Sequence, residues 1–242
     1  MEWHDEGLII GMRKHGETSA ILEVMTRAHG RHLGLVKGGR AKRMQPVLQA
    51  GNSIRLVWRA RLDEHLGFYA VEATDLRAAQ LMATKASLQG LNLLTALLRL
   101  LAERDPHMGL YDAALFVADR LTDTKLGPAL LARFELALLV ELGFGLDLSC
   151  CAATGTTADL VYVSPKSGRA VSRLAGEPYR ERLLPLPAFL RDDSDDMPSR
   201  AEVRDAFILT AFFLARDVFG PRGQAMPDAH AAYLAALPKD AG

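Results

Sequence analysis

Ser53–Leu62 reads SIRLVWRARL. Ile54, Leu56, Trp58, Ala60 and Leu62 fall on every second position, with Arg55, Val57, Arg59 and Arg61 between them. Successive side chains of a strand point to opposite faces, so this spacing predicts a half-buried β-strand with one apolar and one cationic side. Trp58 has the apolar parity and is expected in a core. Upstream, GLIIGM (Gly7–Met12) and ILEVMT (Ile21–Thr26) are short apolar runs on either side of the turn residues His15-Gly16-Glu17-Thr18. Gly30 closes the second run, and Leu33 and Leu35 alternate with Gly34 and Val36 in a third. Downstream, GFYAVEA supplies a fifth strand ending near Thr74, with Phe68 and Tyr69 on opposite faces so that one of them can be exposed. Five short strands in succession predict a small barrel or curled sheet.

Beyond Leu76 the period lengthens. Leu81, Leu88, Leu91, Leu94, Leu98 and Leu101 recur at helical spacing, as do Tyr111, Ala114, Leu115, Ala118 and Leu121. LGPALLARFELALLVELG carries Pro128 near a first turn and Gly143 at a plausible C′ position, and it is apolar nearly all round, as expected of a central buried helix. Ser199 with Glu202 three residues later predicts a capping box, opening a helix through Val203, Phe207, Leu214 and Val218 that ends at Gly220-Pro221. Between the helices, 146–176 is an insert in which LVYVSPKSGRAVS reads as a β-hairpin turning at Pro165-Lys166-Ser167-Gly168. LPLP and the acidic run Arg191–Pro198 read as surface loop. The expected fold class is therefore mixed and multi-domain. A small β-barrel (1–76) precedes a mainly α-helical domain (77–242) with a hairpin insert.

The chain has 242 residues with 29 basic and 29 acidic side chains, so its net charge gives no guide to partners. Its two cysteines, Cys150 and Cys151, are neighbours and badly placed for a mutual disulfide. The acidic N-terminus MEWHDEGLII lacks the apolar run of a signal peptide. Leu88–Leu101 is too short, and too interrupted by Gln89, Asn92, Thr95 and Arg99, to span a bilayer. A cytoplasmic protein with no membrane contact is expected.

The charge is unevenly placed. Between Glu23 and Asp63 there is no carboxylate, while Arg27, Arg31, Lys37, Arg40, Lys42, Arg43, Arg55, Arg59 and Arg61 all lie there, with His29 and His32. Solvated strand faces often carry Lys and Arg, and that is one reading. Three features favour a phosphate-tracking groove instead. No acids are interspersed, as solubility alone would favour. Arg55, Arg59 and Arg61 share a strand parity. The glycines of VKGGRAKRMQP (Val36–Pro46) would let backbone N–H groups approach a ligand. Small barrels bind single strands in basic grooves by neutralising phosphates, and aromatic residues are few here, so backbone recognition without base readout is expected.

Motifs for other chemistry are absent. There is no GxxxxGK[ST], HExxH or GxSxG. His29 and His32 have a ligand-like spacing but no cysteine or second histidine pair near them, so surface or phosphate contacts are expected there, and Asp192, Asp193, Asp195 and Asp196 lack the glycine turn and closing Glu of a calcium loop.

EGLIIGMRKHGETSAILEVMTRAHGRHLGLVKGGR (6–40) resembles the N-terminal OB-fold domain of the bacterial recombination mediator family RecO. GFGLDLSCCAATG, VYVSPKSGRAVS and LLPLP resemble its helical domain, and the likeness runs over nearly the whole chain. The resemblance implies a non-enzymatic, nucleoid-associated mediator without cofactors. It would bind single- and double-stranded DNA, anneal complementary strands and, with RecR, help RecA displace the single-stranded DNA-binding protein. By this likeness Lys37, Arg40, Lys42 and Arg43 contact DNA, with Arg31, Arg55, Arg59 and Arg61 as further candidates from the charge pattern. The helical domain would dock the acidic, apolar C-terminal tail of the single-stranded DNA-binding protein, with Arg99, Arg120, Lys125 and Arg133 as candidate cations. Many members hold zinc with a CxxC before and a CxxC after the hairpin. Here Cys151 alone matches, while Thr154, Ser172 and Ala175 take the other three places, so no bound metal is expected. Leu160, Tyr162 and Val171 would hold the hairpin by packing. The alternative function is a non-catalytic interaction adaptor whose barrel is structural.

Overall fold

The computed structural model describes residues 1–191 and 197–238; Asp192, Asp193, Asp195 and Asp196 lie outside the described residues. The chain divides into two compact units, Met1–Thr122 and Asp123–Gly242.

The first unit opens with five strands: β1 (Glu2–His15), β2 (Ser19–Thr26), β3 (Gly30–Val36), β4 (Ser53–Arg59) and β5 (Phe68–Asp75). They close into a barrel in the order β1-β2-β3-β5-β4, with every neighbouring pair antiparallel except β3 with β5. The seam between β3 and β5 is the narrowest, a single pairing of Leu35 with Phe68. Ile9, Leu22, Val24, Ile54, Leu56, Trp58 and Tyr69 fill the interior. Each such large apolar side chain contributes about 1.5–3 kcal/mol when fully buried. A bulge between Ile9 and Gly11 breaks the alternation, so that Ile9 and Ile10 are both buried in succession. The alternation of β4 is as the sequence predicts: Ile54, Leu56 and Trp58 are buried, Arg55 and Arg59 exposed.

The strand ends sooner than its period suggests. The Ala60 N–H donates to the Met1 carbonyl, and 60–67 forms an irregular connection. Leu62 is exposed, and Arg61 is not on the cationic strand face shared by Arg55 and Arg59. Trp58 donates from Nε1 to the Leu66 carbonyl, 3.0 Å away. Gly67 crosses beside that indole with φ +64, and a Cβ there would lie 2.3 Å from Nε1. Only glycine satisfies both constraints.

The same unit continues through a single turn, α1 (Ala78–Leu81), then α2 (Lys85–Leu98) and α3 (Met108–Ala118). Thr84 caps α2 by accepting from the Ser87 N–H. The compact unit thus runs past the change from strands to helices near residue 77. Arg77 is one reason. Its guanidinium, nearly buried, contacts Ser53 Oγ (2.6 Å), the Gly51 carbonyl (3.1 Å), Asp75 (2.6 Å) and Asp119 (2.9 Å).

The second unit is built on α4 (Leu126–Glu141), with Leu131, Phe134 and Leu138 buried. Gly143 follows with φ +85. Strands β6 (Leu160–Val163) and β7 (Ala170–Ser172) form the expected hairpin, and β6 also pairs with β8 (Leu184–Pro185). Leu160 and Val171 are buried, and the Tyr162 ring lies over Gly176, where a Cβ would meet it at 2.5 Å. Gly176 ends the single turn α5 (Arg173–Gly176). The capping box of Ser199 and Glu202 opens α6 (Arg200–Phe213), which packs on α4 and passes into a π-helical turn, Leu214–Phe219. Thr210 on α6 donates to the buried Glu135 carboxyl on α4, and α7 (Asp228–Ala236) places His230 and Tyr233 against Phe207. No helix among the described residues is long and apolar enough to cross a membrane.

Candidate nucleic-acid interface

In this barrel the β1–β2 turn and the C-terminal end of β3 fall at the same end, because β1 and β3 both run antiparallel to β2. The loop after β3 therefore begins beside Gly16–Thr18. The Arg40 N–H donates to the Thr18 carbonyl (3.0 Å), and its guanidinium donates to the Gly16 carbonyl (2.7 Å). The far side of the loop is fixed by Leu48, which enters the barrel core, and by Asn52. The Asn52 amide donates to the Pro46 and Val47 carbonyls, and its oxygen accepts from the Ala78 N–H.

The glycines serve the path of the chain. Gly38 has φ +69, and a Cβ on Gly39 would come 2.9 Å from the Ala20 Cβ. The N–H groups of Gly39, Arg40 and Ala41 are donated to the carbonyls of Val36, Thr18 and Gly38. Those three donors are consumed in folding the turn. What it presents is side-chain charge. Lys37, Arg40, Lys42 and Arg43 are all exposed, with Lys42 and Arg43 on a single 3-10 turn, Lys42–Met44. Among the described residues none of the four has an ion-pair partner. The Lys37 ammonium lies 4.4 Å from the centre of the Phe68 ring.

The other candidates have different surroundings. β4 lies between β1 and β5, so carboxylates distant in sequence arrive beside its arginines. Arg59 grips Glu2 through Nε and Nη2 at 2.8 and 3.0 Å, and these hydrogen bonds hold the Glu2 carboxyl below its ordinary range. Arg55 lies 4.0 Å from Glu6 and 3.6 Å from Glu72. Arg31 is mostly buried. It donates to Glu23 (2.9 Å) and the Leu101 carbonyl (3.0 Å), with Glu103 at 3.4 Å. Arg61 stands in the irregular segment after β4. The structure thus gathers Lys37, Arg40, Lys42 and Arg43 and does not bring Arg31, Arg55 and Arg59 to them as unpaired charges. It adds two cations that charge counting missed. Arg13 and Lys14 are exposed at the end of β1, where Lys14 pairs with Ala20, the residue against which Gly39 packs. Their signal was the run Arg13-Lys14-His15 directly before the turn, legible once the barrel order is known.

The four candidates for tail binding divide between the units. Arg99 donates to Glu23 (2.8 Å) and the Ile10 carbonyl (2.5 Å). Arg120 stacks 4.5 Å from the centre of the Phe116 ring, which is itself exposed. In the second unit, the Lys125 N–H donates to Asp123, and Arg133 Nε donates to the Phe189 carbonyl at 2.9 Å.

At the hairpin, Cys151 is buried, and its sulfur accepts from the Ser172 N–H (3.3 Å) and hydroxyl (3.5 Å). Burial pushes the thiol up. Hydrogen bonds from Ser172, Thr154 and the Ala153 N–H outweigh it and bring it down to about 6. Two of the hydroxyl residues in the family's ligand places thus solvate the sulfur. This donor set does not fit structural zinc, which needs four good ligands. Among the described residues no three His, Cys, Asp or Glu side chains are grouped to hold a metal.

A closed five-stranded barrel of OB topology with a cationic end, continued by a helical part bearing a hairpin, defines the class: an OB-fold protein with a helical domain. The family model described as "Recombination protein O N terminal" matches residues 1–77, and "Recombination protein O C terminal" matches residues 86–225. The chain is 63% identical over 240 residues to the DNA repair protein RecO of Methylocella silvestris, covering 99% of this chain and 97% of that protein. It is 61% identical to the DNA repair protein RecO of Mesorhizobium japonicum, covering 99% and 94% of the two chains. With that of a Chelativorans species it shares 57%, covering 98% and 96%. The chain belongs to the recombination protein O (RecO) family.

Proposed function

We propose that the chain is a DNA repair and recombination mediator that holds DNA by its phosphates at the cationic end of the barrel. The observation carrying this reading is the group Lys37, Arg40, Lys42 and Arg43, exposed and without an ion-pair partner among the described residues, on a loop fixed at both ends. Each phosphate that such a cation neutralises releases condensed counterions, which gives affinity without sequence readout. Two single strands repel each other. A rim able to hold both lowers that repulsion and raises their mutual concentration, so complementary strands anneal faster. With RecR, the protein would then help RecA load onto DNA covered by the single-stranded DNA-binding protein. Of the four cations considered for that protein's acidic, apolar tail, Arg120 has an exposed aromatic ring beside it, Phe116, an apolar neighbour of the kind such a tail requires, with Asp119 4.0 Å away.

A strand-annealing assay tests the reading. Dye-labelled complementary oligonucleotides should pair faster with the full-length protein than without it. Replacing Arg40, Lys42 and Arg43 with Gln should remove most of that acceleration. Unchanged annealing, with no binding to either strand at low salt, would leave the interaction adaptor as the better account.

A further inference from the structure

We infer that Phe68 is a stacking platform for an unpaired nucleobase and that Lys37 is its removable cover. This rests on the DNA-binding reading and adds to it a contact with bases. β5 starts with one residue facing the exterior and one facing the barrel interior. Tyr69, which carries a hydroxyl, points inward and needs His32 Nδ1 at 2.9 Å to satisfy that hydroxyl. Phe68, wholly apolar, points outward and is 45% exposed.

Phe68 also stands where the cationic loop begins. It pairs with Leu35 at the end of β3, two residues before Lys37, and with Arg59 on β4. Arg59 is held by Glu2. Among the described residues the cation over the ring is Lys37, on a flexible stem and with no ion-pair partner. An exposed ammonium over a phenyl ring is a weak contact. A base stacked on an aromatic ring is a stronger one and is tolerant of sequence. Exchange is therefore favourable. The base takes the ring face, and the displaced ammonium takes the adjoining phosphate, leaving Arg40, Lys42 and Arg43 for the next phosphates along the strand. Duplex DNA hides its base faces, so the contact belongs to unpaired strands.

The test compares three probes on the full-length protein: a thymidine oligonucleotide, an abasic phosphodiester strand of equal length, and a duplex. Wild type should prefer thymidine to abasic strand by roughly tenfold, the lower part of the range for one stacked base. Phe68→Leu should abolish that preference and leave duplex affinity and salt dependence unchanged, while Phe68→Tyr should retain it. A preference that survives Phe68→Leu, or a loss shared equally by the duplex, would overturn the inference. Failure of wild type to bind any of the three would instead overturn the DNA-binding reading beneath it. Should Phe68→Leu not fold, photocrosslinking of wild type to a strand bearing 5-iodouracil decides the matter. Attachment on the peptide containing Phe68 supports the platform, and attachment only elsewhere contradicts it.

Discussion

The guanidinium of Arg40 reaches across to the β1–β2 turn and donates a 2.7 Å hydrogen bond to the Gly16 carbonyl. One donor of the planar fork is thereby spent on the protein, and the side chain is held at the rim with its remaining donors available to solvent. Lysine has the same charge but no fork. Arg40→Lys should therefore keep the salt dependence of DNA binding while lowering affinity by about threefold, the worth of one modest hydrogen bond. Fluorescence anisotropy with a labelled oligonucleotide across a salt series reads both quantities. A change in slope would mean that the anchor matters less than the charge.

Arg31 behaves differently from the residues it accompanies in sequence. Its side chain is only 16% exposed, and Glu23, its partner at 2.9 Å, is 17% exposed and also accepts from Arg99. Losing one member of such a mostly buried cluster leaves polar groups unsatisfied. Arg31→Gln should lower unfolding stability by about 1–3 kcal/mol and leave the salt slope of DNA binding as it was. Urea denaturation and the anisotropy series together check this. A stable variant with a shallower slope would return Arg31 to the DNA interface.

His32 sits inside the barrel with Tyr69 Oη at 2.9 Å and the edges of Trp3 and Trp58 against its ring. Burial, aided by the positive charge of Arg104, lowers its pKa from 6.5 to about 4. Above pH 6.5 the imidazole is neutral in both folded and unfolded chains. Between about 6.5 and 4 only the unfolded chain gains the proton, so stability falls as the pH is lowered through this window and His32 adds no further loss below it. Urea midpoints measured from pH 8 downward for wild type and His32→Gln should diverge within this window, with the flatter curve belonging to the variant. Parallel curves would contradict the assignment.

Much of the fold could be read in the sequence because it depends on local period. The alternation of Ile54, Leu56 and Trp58 placed β4, and Ser199 with Glu202 placed the start of α6. What could not be read depends on long-range pairing. The interval from Glu23 to Asp63 is free of acids along the chain. Once β4 is laid between β1 and β5, however, Glu2, Glu6 and Glu72 stand beside Arg59 and Arg55. The last rung of β4 is likewise long-range: the Ala60 N–H donates to the carbonyl of Met1, 59 residues away, before the chain turns irregular. Parity put Phe68 and Tyr69 on opposite faces but could not say which face was outside. That was settled by the barrel's closure around Tyr69 and its bond to His32.

The cations of the β3–β4 loop, and not those of the β4 face, should capture the phosphate backbone. The most direct measurement is the slope of log affinity against log salt for one single-stranded oligonucleotide. It compares wild type with an Arg40, Lys42, Arg43→Gln variant and with an Arg55, Arg59→Gln variant, each checked for wild-type folding. Each phosphate contact contributes about 0.7 to that slope for single strands. The loop variant should therefore lose about 2 from its magnitude, equally for all base compositions, and the β4-face variant should lose almost nothing. Equal slopes for wild type and the loop variant, or a loss confined to the β4-face variant, would contradict the account.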